Sequence, residues 1–303
     1  MSTTITSRHR VLTDEQWERI EPLLPSNEGR KGHPFRDNRR IVEAMIYRAR
    51  TGIPWRDLPR EAFGPWQTTW KRYNKYAADG VWDSIHAQLL AEADEAGEIE
   101  WTVSVDSTIN RAHQHGTNTR RPDQPTGAFA NHKNLGGTEP EGHALGRSRG
   151  GLSTKIHAVV DARGLPIAIV TTGGQRHDGA MLEEILDEIR VPRIGPGRPR
   201  TRPNAVVADK AYSSGVTRRM LAARGIKTVI PQKSNEKNAR KNKGSAGGRP
   251  PSLDDQAYRG RNIVERHFGL AKQWRGIATR YDKKARNYRA GVVLCAIIAC
   301  LRT

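Results

Sequence analysis

Cysteine is nearly absent from this chain. Its two examples in 303 residues, Cys295 and Cys300, both fall inside the apolar run Ala290-Gly-Val-Val-Leu-Cys-Ala-Ile-Ile-Ala-Cys-Leu. So placed, they offer neither a disulfide framework nor metal-ligand spacing; both read as small core residues, and a reducing compartment is expected. No stretch reaches 18 apolar residues and the N-terminus has no apolar segment of the secretory kind, so membrane spanning and secretion are not expected and a cytoplasmic chain is. Gly173-Gly-Gln and Gly195-Pro-Gly do not extend into a Gly-x4-Gly-Lys-Ser/Thr loop, which argues against nucleotide hydrolysis. His113 and His115 have no cysteine partner and no His-Glu-x-x-His pattern, which argues against zinc. Acid, finally, is scarce in one region. Residues 201–303 hold 23 Lys/Arg against 6 Asp/Glu, whereas residues 1–100 hold 15 against 16 and residues 101–200 hold 13 against 10.

What is present is positive charge, +19 formally, and it is unevenly spread. Besides the basic C-terminal third, residues 30–75 hold 12 bases and 4 acids. Two separated basic surfaces fit two separate contacts with a polyanion such as nucleic acid.

The first hundred residues read as helices. Thr13-Asp-Glu-Gln16 is a capping box ahead of Trp17, Ile20, Leu23 and Leu24 at helical spacing, and Pro25 closes that helix. Residues 29–34 form a basic loop. A second helix runs from about Asp37 to near Gly52-Ile-Pro54, and a third, Trp66 to Tyr76, has Pro65 suited to its first turn. The third helix sets Trp66, Trp70 and Tyr73, read as core, on one side and Lys71, Arg72 and Lys75 largely on others. Val81 to Glu95 is a fourth. Short helices with a basic third one suit a helix-turn-helix reader, in which Lys71, Arg72 and Lys75 touch DNA; a plain helical cap is the alternative.

From Trp101 the period changes to two. Trp101-Thr-Val-Ser-Val delivers Asp106; Leu152–Val160 and Leu165–Val170 form a hairpin about Asp161-Ala-Arg-Gly164; Ala205–Ala208 delivers Asp209. Helices are expected over 178–190 and 214–224, with a strand at 225–230 and an apolar helix at the C-terminus. The order implies an α/β sheet with flanking helices over residues 99–303, after a helical unit at 1–98. Loops are expected at 111–150 and 232–256, the second basic and of low complexity.

Three apolar strands end in aspartate. Asp161 is explained by its turn, since a Gly and a returning strand follow. Asp106 and Asp209 have no returning strand, so they sit where strands leave the sheet, the usual ligand edge. A third acid stands in Tyr258-Arg-Gly-Arg-Asn-Ile-Val-Glu265-Arg-His-Phe-Gly-Leu-Ala-Lys272, where Glu265 is the only acid between Asp255 and Asp282. On a continuous helix Tyr258, Arg261, Glu265 and Lys272 share a stripe roughly 60° wide. An i,i+4 Arg261–Glu265 pair would explain the helix alone; with the two aspartates, three carboxylates suit a hard dication. Asp178, after His177, reads as a helix N-cap rather than a fourth ligand.

The set Asp106, Asp209, Glu265 resembles the DDE triad of insertion-sequence transposases, and Tyr258-x2-Arg261-x3-Glu265-x6-Lys272 resembles their Y-R-E-K signature. Leu12-Thr-Asp-Glu-Gln-Trp, Gly52-Ile-Pro-Trp-Arg-Asp-Leu-Pro, Phe63-Gly-Pro-Trp, Val105-Asp-Ser-Thr, Gly146-Arg-Ser-Arg-Gly-Gly and Ala208-Asp-Lys-Ala-Tyr resemble the IS-five family in particular. The resemblance implies a ribonuclease-H-like catalytic domain and Mg²⁺, with Mn²⁺ as substitute, held by Asp106 on both ions, Asp209 on one and Glu265 on the other. It implies double-stranded DNA as partner (element terminal repeats and target), a homo-oligomer on that DNA, and a bacterial, nucleoid-associated setting. Arg261 and Lys272 would hold phosphates and Tyr258 would position or stack on DNA. A non-catalytic DNA-binding derivative and a nuclease of RNA–DNA hybrids remain the alternatives.

Overall fold

A computed structural model of the chain describes residues 9–26, 37–117 and 142–302. The basic loop expected at 29–34 and most of segment 117–145 lie outside the described residues.

The N-terminal helices form where their caps dictate. Thr13 Oγ1 accepts from the Gln16 N–H at 3.2 Å and Gln16 Oε1 accepts from the Thr13 N–H at 3.1 Å, opening α1 (Asp14–Ile20). Asp37 caps α2 (Asn38–Thr51), which ends on Gly52 at φ 71°, where a Cβ would lie 2.9 Å from Arg275 Cβ. After short turns at Trp55–Asp57 and Arg60–Phe63 come α3 (Trp66–Ala78) and α4 (Val81–Glu95). The inward stripe of α3 is Thr69, Tyr73 and Tyr76, spaced i, i+4, i+7, so Trp66 is only half-buried and Trp70 is 39% exposed. The expectation that these tryptophans are core is corrected for Trp70, while Trp66 packs half-buried against the cluster of Ala44, Leu58 and Phe63.

The strands are β1 (Thr102–Ala112), β2 (Gly146–Ser148), β3 (Gly151–Asp161), β4 (Pro166–Gly173), β5 (Ala205–Ala208), β6 (Lys227–Val229) and β7 (Thr279–Arg280). β3 pairs antiparallel with β1 on one edge and with β4 and β2 on the other; β5 and β6 then continue parallel to β1, and β7 joins β1's last two residues. Asp161, wholly buried, accepts from the N–H groups of Glu100, Arg163 and Leu165, confirming its role in the turn.

Flanking helices are α5 (Asp178–Asp187), α6 (Gly215–Ala223), α7 (Ser234–Asn242), α8 (Asp255–Arg259), α9 (Asn262–Lys272) and α10 (Ala285–Cys300). Two expected loops are corrected. The first contains strand at both ends, since β1 runs on to Ala112 and β2 occupies Gly146–Ser148. The second contains α7, because Glu236 accepts from the Lys233 N–H at 3.3 Å and from Ser213 Oγ at 2.8 Å, capping the helix and tying it down without core contacts.

α10 carries much of the core. Val293, Leu294 and Ile297 join one apolar cluster with Leu12, Trp82 and Leu89 of the helical segment and Val159 and Ile169 of the sheet. Among the described residues neither Cys295 nor Cys300 is disulfide-bonded, and burial pushes both thiols up to about 12. This is a mixed α/β architecture, a seven-stranded sheet with flanking helices and further helices leading into it. Among the described residues no helix is long and apolar enough to cross a membrane.

Candidate active site

The parallel ladder between β1 and β5 ends at the pair Val105–Ala208, and the next residues are Asp106 and Asp209. Neighbouring strands lie about 4.8 Å apart, so the ladder's end delivers two carboxylates side by side. One expectation is corrected here: β1 itself does not stop at Asp106, since five further residues stay paired with β3. Only the partnership with β5 stops. Asp209 does leave its strand, capping the turn Lys210–Tyr212 through an acceptance from the Ala211 N–H at 2.6 Å.

Glu265 comes from α9, which packs Val264, Phe268 and Ala271 inward and leaves Glu265 half-exposed. Arg261, just ahead of that helix, donates from Nη1 to Asp106 Oδ2 at 3.3 Å and from Nη2 to Glu265 Oε1. One guanidinium thus joins the strand acid to the helix acid. Lys272 Nζ donates to the Ile109 carbonyl at 3.3 Å, and partial burial lowers its pKa. The continuous helix expected over 258–272 is broken at Gly260–Arg261, where Arg261, Ile263 and Val264 donate three residues back instead of four. Tyr258 therefore belongs to α8, packed against Ala205, Val207 and Val229.

Burial pushes the Asp106 carboxyl up. The Ser107 N–H at 2.8 Å and Arg261 oppose this, while Asp209 and Asp178 add to it. A half-buried carboxylate beside other carboxylates is the arrangement that a hard dication relieves, and an all-oxygen donor set suits Mg²⁺ or Mn²⁺. Among the described residues no three acid, histidine or cysteine groups stand close enough to enclose an ion as they are; between Asp106 and Glu265 the cation is Arg261.

Sequence reasoning missed a second polar group behind this site. The N-cap of α5 is His177, whose Nδ1 accepts from the Gly179 N–H at 3.2 Å, and not Asp178. Asp178 instead accepts from Ser107 Oγ at 2.6 Å and from Lys155 Nζ at 2.8 Å. Burial would raise its pKa, but those two hydrogen bonds outweigh burial and hold it below the carboxylate range. His157 lies opposite Ser107 in the β3 register, and burial takes its pKa down to about 4. The hydroxyl of Tyr212 is buried without a partner among the described residues, and Asp178, Asp106 and Asp209 all reinforce the upward shift that burial gives it. The available signal was Ser153-Thr-Lys-Ile-His157, a polar-studded run in a strand covered on both faces. Asp178→Asn is expected to cost about 1–3 kcal/mol by leaving the Lys155 ammonium without its counter-charge, read from the urea midpoint; an unchanged midpoint would contradict it.

On the N-terminal face, Lys71 is exposed. Arg72 donates to Asn38 Oδ1 at 2.7 Å, and Lys75 pairs with Asp79 at 2.7 Å on the surface.

Residues 12–86 match the family model described as "Putative transposase of IS4/5 family", and residues 98–301 match the model "Transposase DDE domain". A Sinorhizobium fredii protein, named uncharacterized protein y4sN, is 42% identical over 110 residues, 36% of this chain and 83% of its own. The "Putative transposase for insertion sequence element IS402" of Burkholderia cepacia is 32% identical over 150 residues, 50% of this chain and 64% of that one. Its counterpart for IS6501 from Brucella ovis is 30% identical over 148 residues, 48% of this chain and 98% of that one. The Mos1 mariner paired end complex with Mn aligns over 88% of this chain and 89% of its own at 10% identity and a TM-score of 0.22, too slight a likeness to bear on chemistry. With its whole sheet and all three acids inside the matched segment, the chain belongs to the DDE-domain transposases.

Proposed function

We propose that this transposase binds the ends of an insertion sequence, hydrolyses a phosphodiester there and joins the freed 3′-OH to target DNA, with Asp106, Asp209 and Glu265 as its catalytic and metal-binding carboxylates. What supports this is the convergence of Asp106 and Asp209 at one ladder end, with Glu265 linked to Asp106 through Arg261. Mg²⁺, or Mn²⁺ in its place, would supply Lewis acidity at the attacked phosphate and a more acidic water. The protein's own part is to place and charge the site. Half-burial of Asp106 and its hydrogen bond from Ser107 fix the carboxylate at the sheet edge. Arg261 can take phosphate oxygens two at a time and Lys272 as a point charge, on the face of α9 that bears Glu265. Tyr258 positions the strand from α8.

Residues 1–98 act as the helical DNA-reading unit and residues 99–303 as the catalytic one. Lys71 and Lys75 are the freer hands; Arg72, tied to Asn38, contributes charge while bracing α3 on α2. Two element ends must be held together for joining, so the chain works as a homo-oligomer on DNA.

The test is strand nicking on DNA flanking the chain's own gene. Nicks at the element ends with Mg²⁺ or Mn²⁺, and none with chelator, are expected. Tight binding without nicking in either metal would favour a non-catalytic DNA-binding derivative. Affinity should fall steeply with salt, as counterions are released from several phosphates.

A further inference from the structure

β1 has an open stretch. Its residues 102–105 pair with β5 and residues 111–112 with β7, so among the described residues 106–110 have no strand partner on that side. The carboxylate of Asp106 stands at one end of this open edge. At the other end lies a cleft of 510 Å³, walled by Ile109, Arg111, Ser148, Arg149 and Ser153 among others.

Three features of the cleft point the same way. Ile109 is 46% exposed, unusual for a branched apolar side chain on an inner strand. Arg111 and Arg149 are both exposed, and no acid pairs with either among the described residues. The Gly146-Arg-Ser-Arg-Gly-Gly motif builds the third feature: Gly151, at φ 101°, and the bond from Ser148 Oγ to the Gly151 carbonyl at 3.1 Å close a tight β2–β3 hairpin. Arg149 is at its tip. Arg111 reaches the same tip, for a Cβ on Gly150 would sit 3.8 Å from Arg111 Nη2. Two like charges converge beside an apolar wall with no acid paired to either among the described residues, which suits a phosphodiester backbone with its sugars.

We propose that this cleft is a subsite for the DNA strand leading away from the cut, with Arg111 and Arg149 on its phosphates and Ile109 against a sugar. The inference rests on the transposase reading above. Five residues of strand span roughly 16 Å, about five nucleotides of B-form DNA at 3.4 Å each. The phosphates concerned therefore lie within about five nucleotides of the cleaved bond.

The test uses the full chain, its Arg111→Gln and Arg149→Gln variants and their double. A labelled duplex bearing the element end is titrated over a salt series, and nicking is followed on the same duplex. Each single change is expected to weaken binding several-fold, and the double to make the salt slope shallower by about 2. A neutral methylphosphonate within five nucleotides of the cut should weaken wild-type binding but not that of the double variant. Both side chains are exposed, so equal unfolding midpoints are expected and would exclude misfolding. Variants that bind with wild-type affinity and slope, or that lose as much to the methylphosphonate as wild type does, would overturn the subsite alone. A wild-type chain that neither binds nor nicks the ends would overturn the transposase reading, and the subsite with it.

Discussion

Asp106→Asn is expected to lower nicking at the element ends by about 10³-fold or more, the scale set by removing a group that stabilises charge at the reacting centre. The amide keeps the size of the side chain and can still accept from the Ser107 N–H, so the local backbone is retained. What it lacks is the charge that a dication needs. Stability separates this loss from damage to the fold. Because burial, Asp209 and Asp178 raise the Asp106 pKa, the ionised carboxylate is held at a disadvantage above the unfolded carboxylate range. A neutral amide removes that disadvantage, so the urea midpoint at neutral pH should stay level or rise. End binding, carried by other cations, should persist. Wild-type nicking by Asp106→Asn would remove the residue from the proposed triad. Asp209→Asn and Glu265→Gln are expected to give the same loss.

The parts of this site that were legible in the sequence are those where local pattern and tertiary placement agree. Ala205-Val-Val-Ala208 is short, apolar and ends in an acid, and the structure ends β5 there. Beyond Asp106, the run Ser107-Thr-Ile-Asn-Arg111 is too polar to look like strand. It is strand because β3 fixes it, with the Asn110 Nδ2 donating to the Ile277 carbonyl at 2.8 Å. α7 was hidden for the opposite reason. It buries no side chain and so has no apolar period to detect; a single glutamate holds it. The break at Gly260–Arg261 was hidden because the charged pattern continues across it, and only the hydrogen bonds show the tightening. Asp178 finds Ser107 across 71 residues of sequence, a meeting that no local motif announces.

The largest structural effect is expected where the helical segment meets the rest. Arg48 of α2 and Asp282, in the break between β7 and α10, pair at 2.9 Å with side chains only 6% and 7% exposed. The guanidinium also lies 4.8 Å over the Trp55 ring, and nearby the Tyr73 hydroxyl donates to the Asn287 carbonyl. Arg48→Met would leave the Asp282 carboxylate buried without its counter-charge, at a cost of about 3–5 kcal/mol. Against a total stability of about 5–15 kcal/mol that is a large share. The double change Arg48→Met with Asp282→Leu should cost much less than the sum of the two singles, because no orphan charge remains. Urea unfolding of all four proteins measures the difference. A single change within about 1 kcal/mol of wild type would show that water reaches the pair. Additive singles would show that the two side chains act independently. If the pair does lock α2 to the sheet, the weakened variants should also begin to unfold in two steps, the N-terminal helices first, since α1, α2 and α3 would have lost the one buried ionic tie to the C-terminal half found among the described residues.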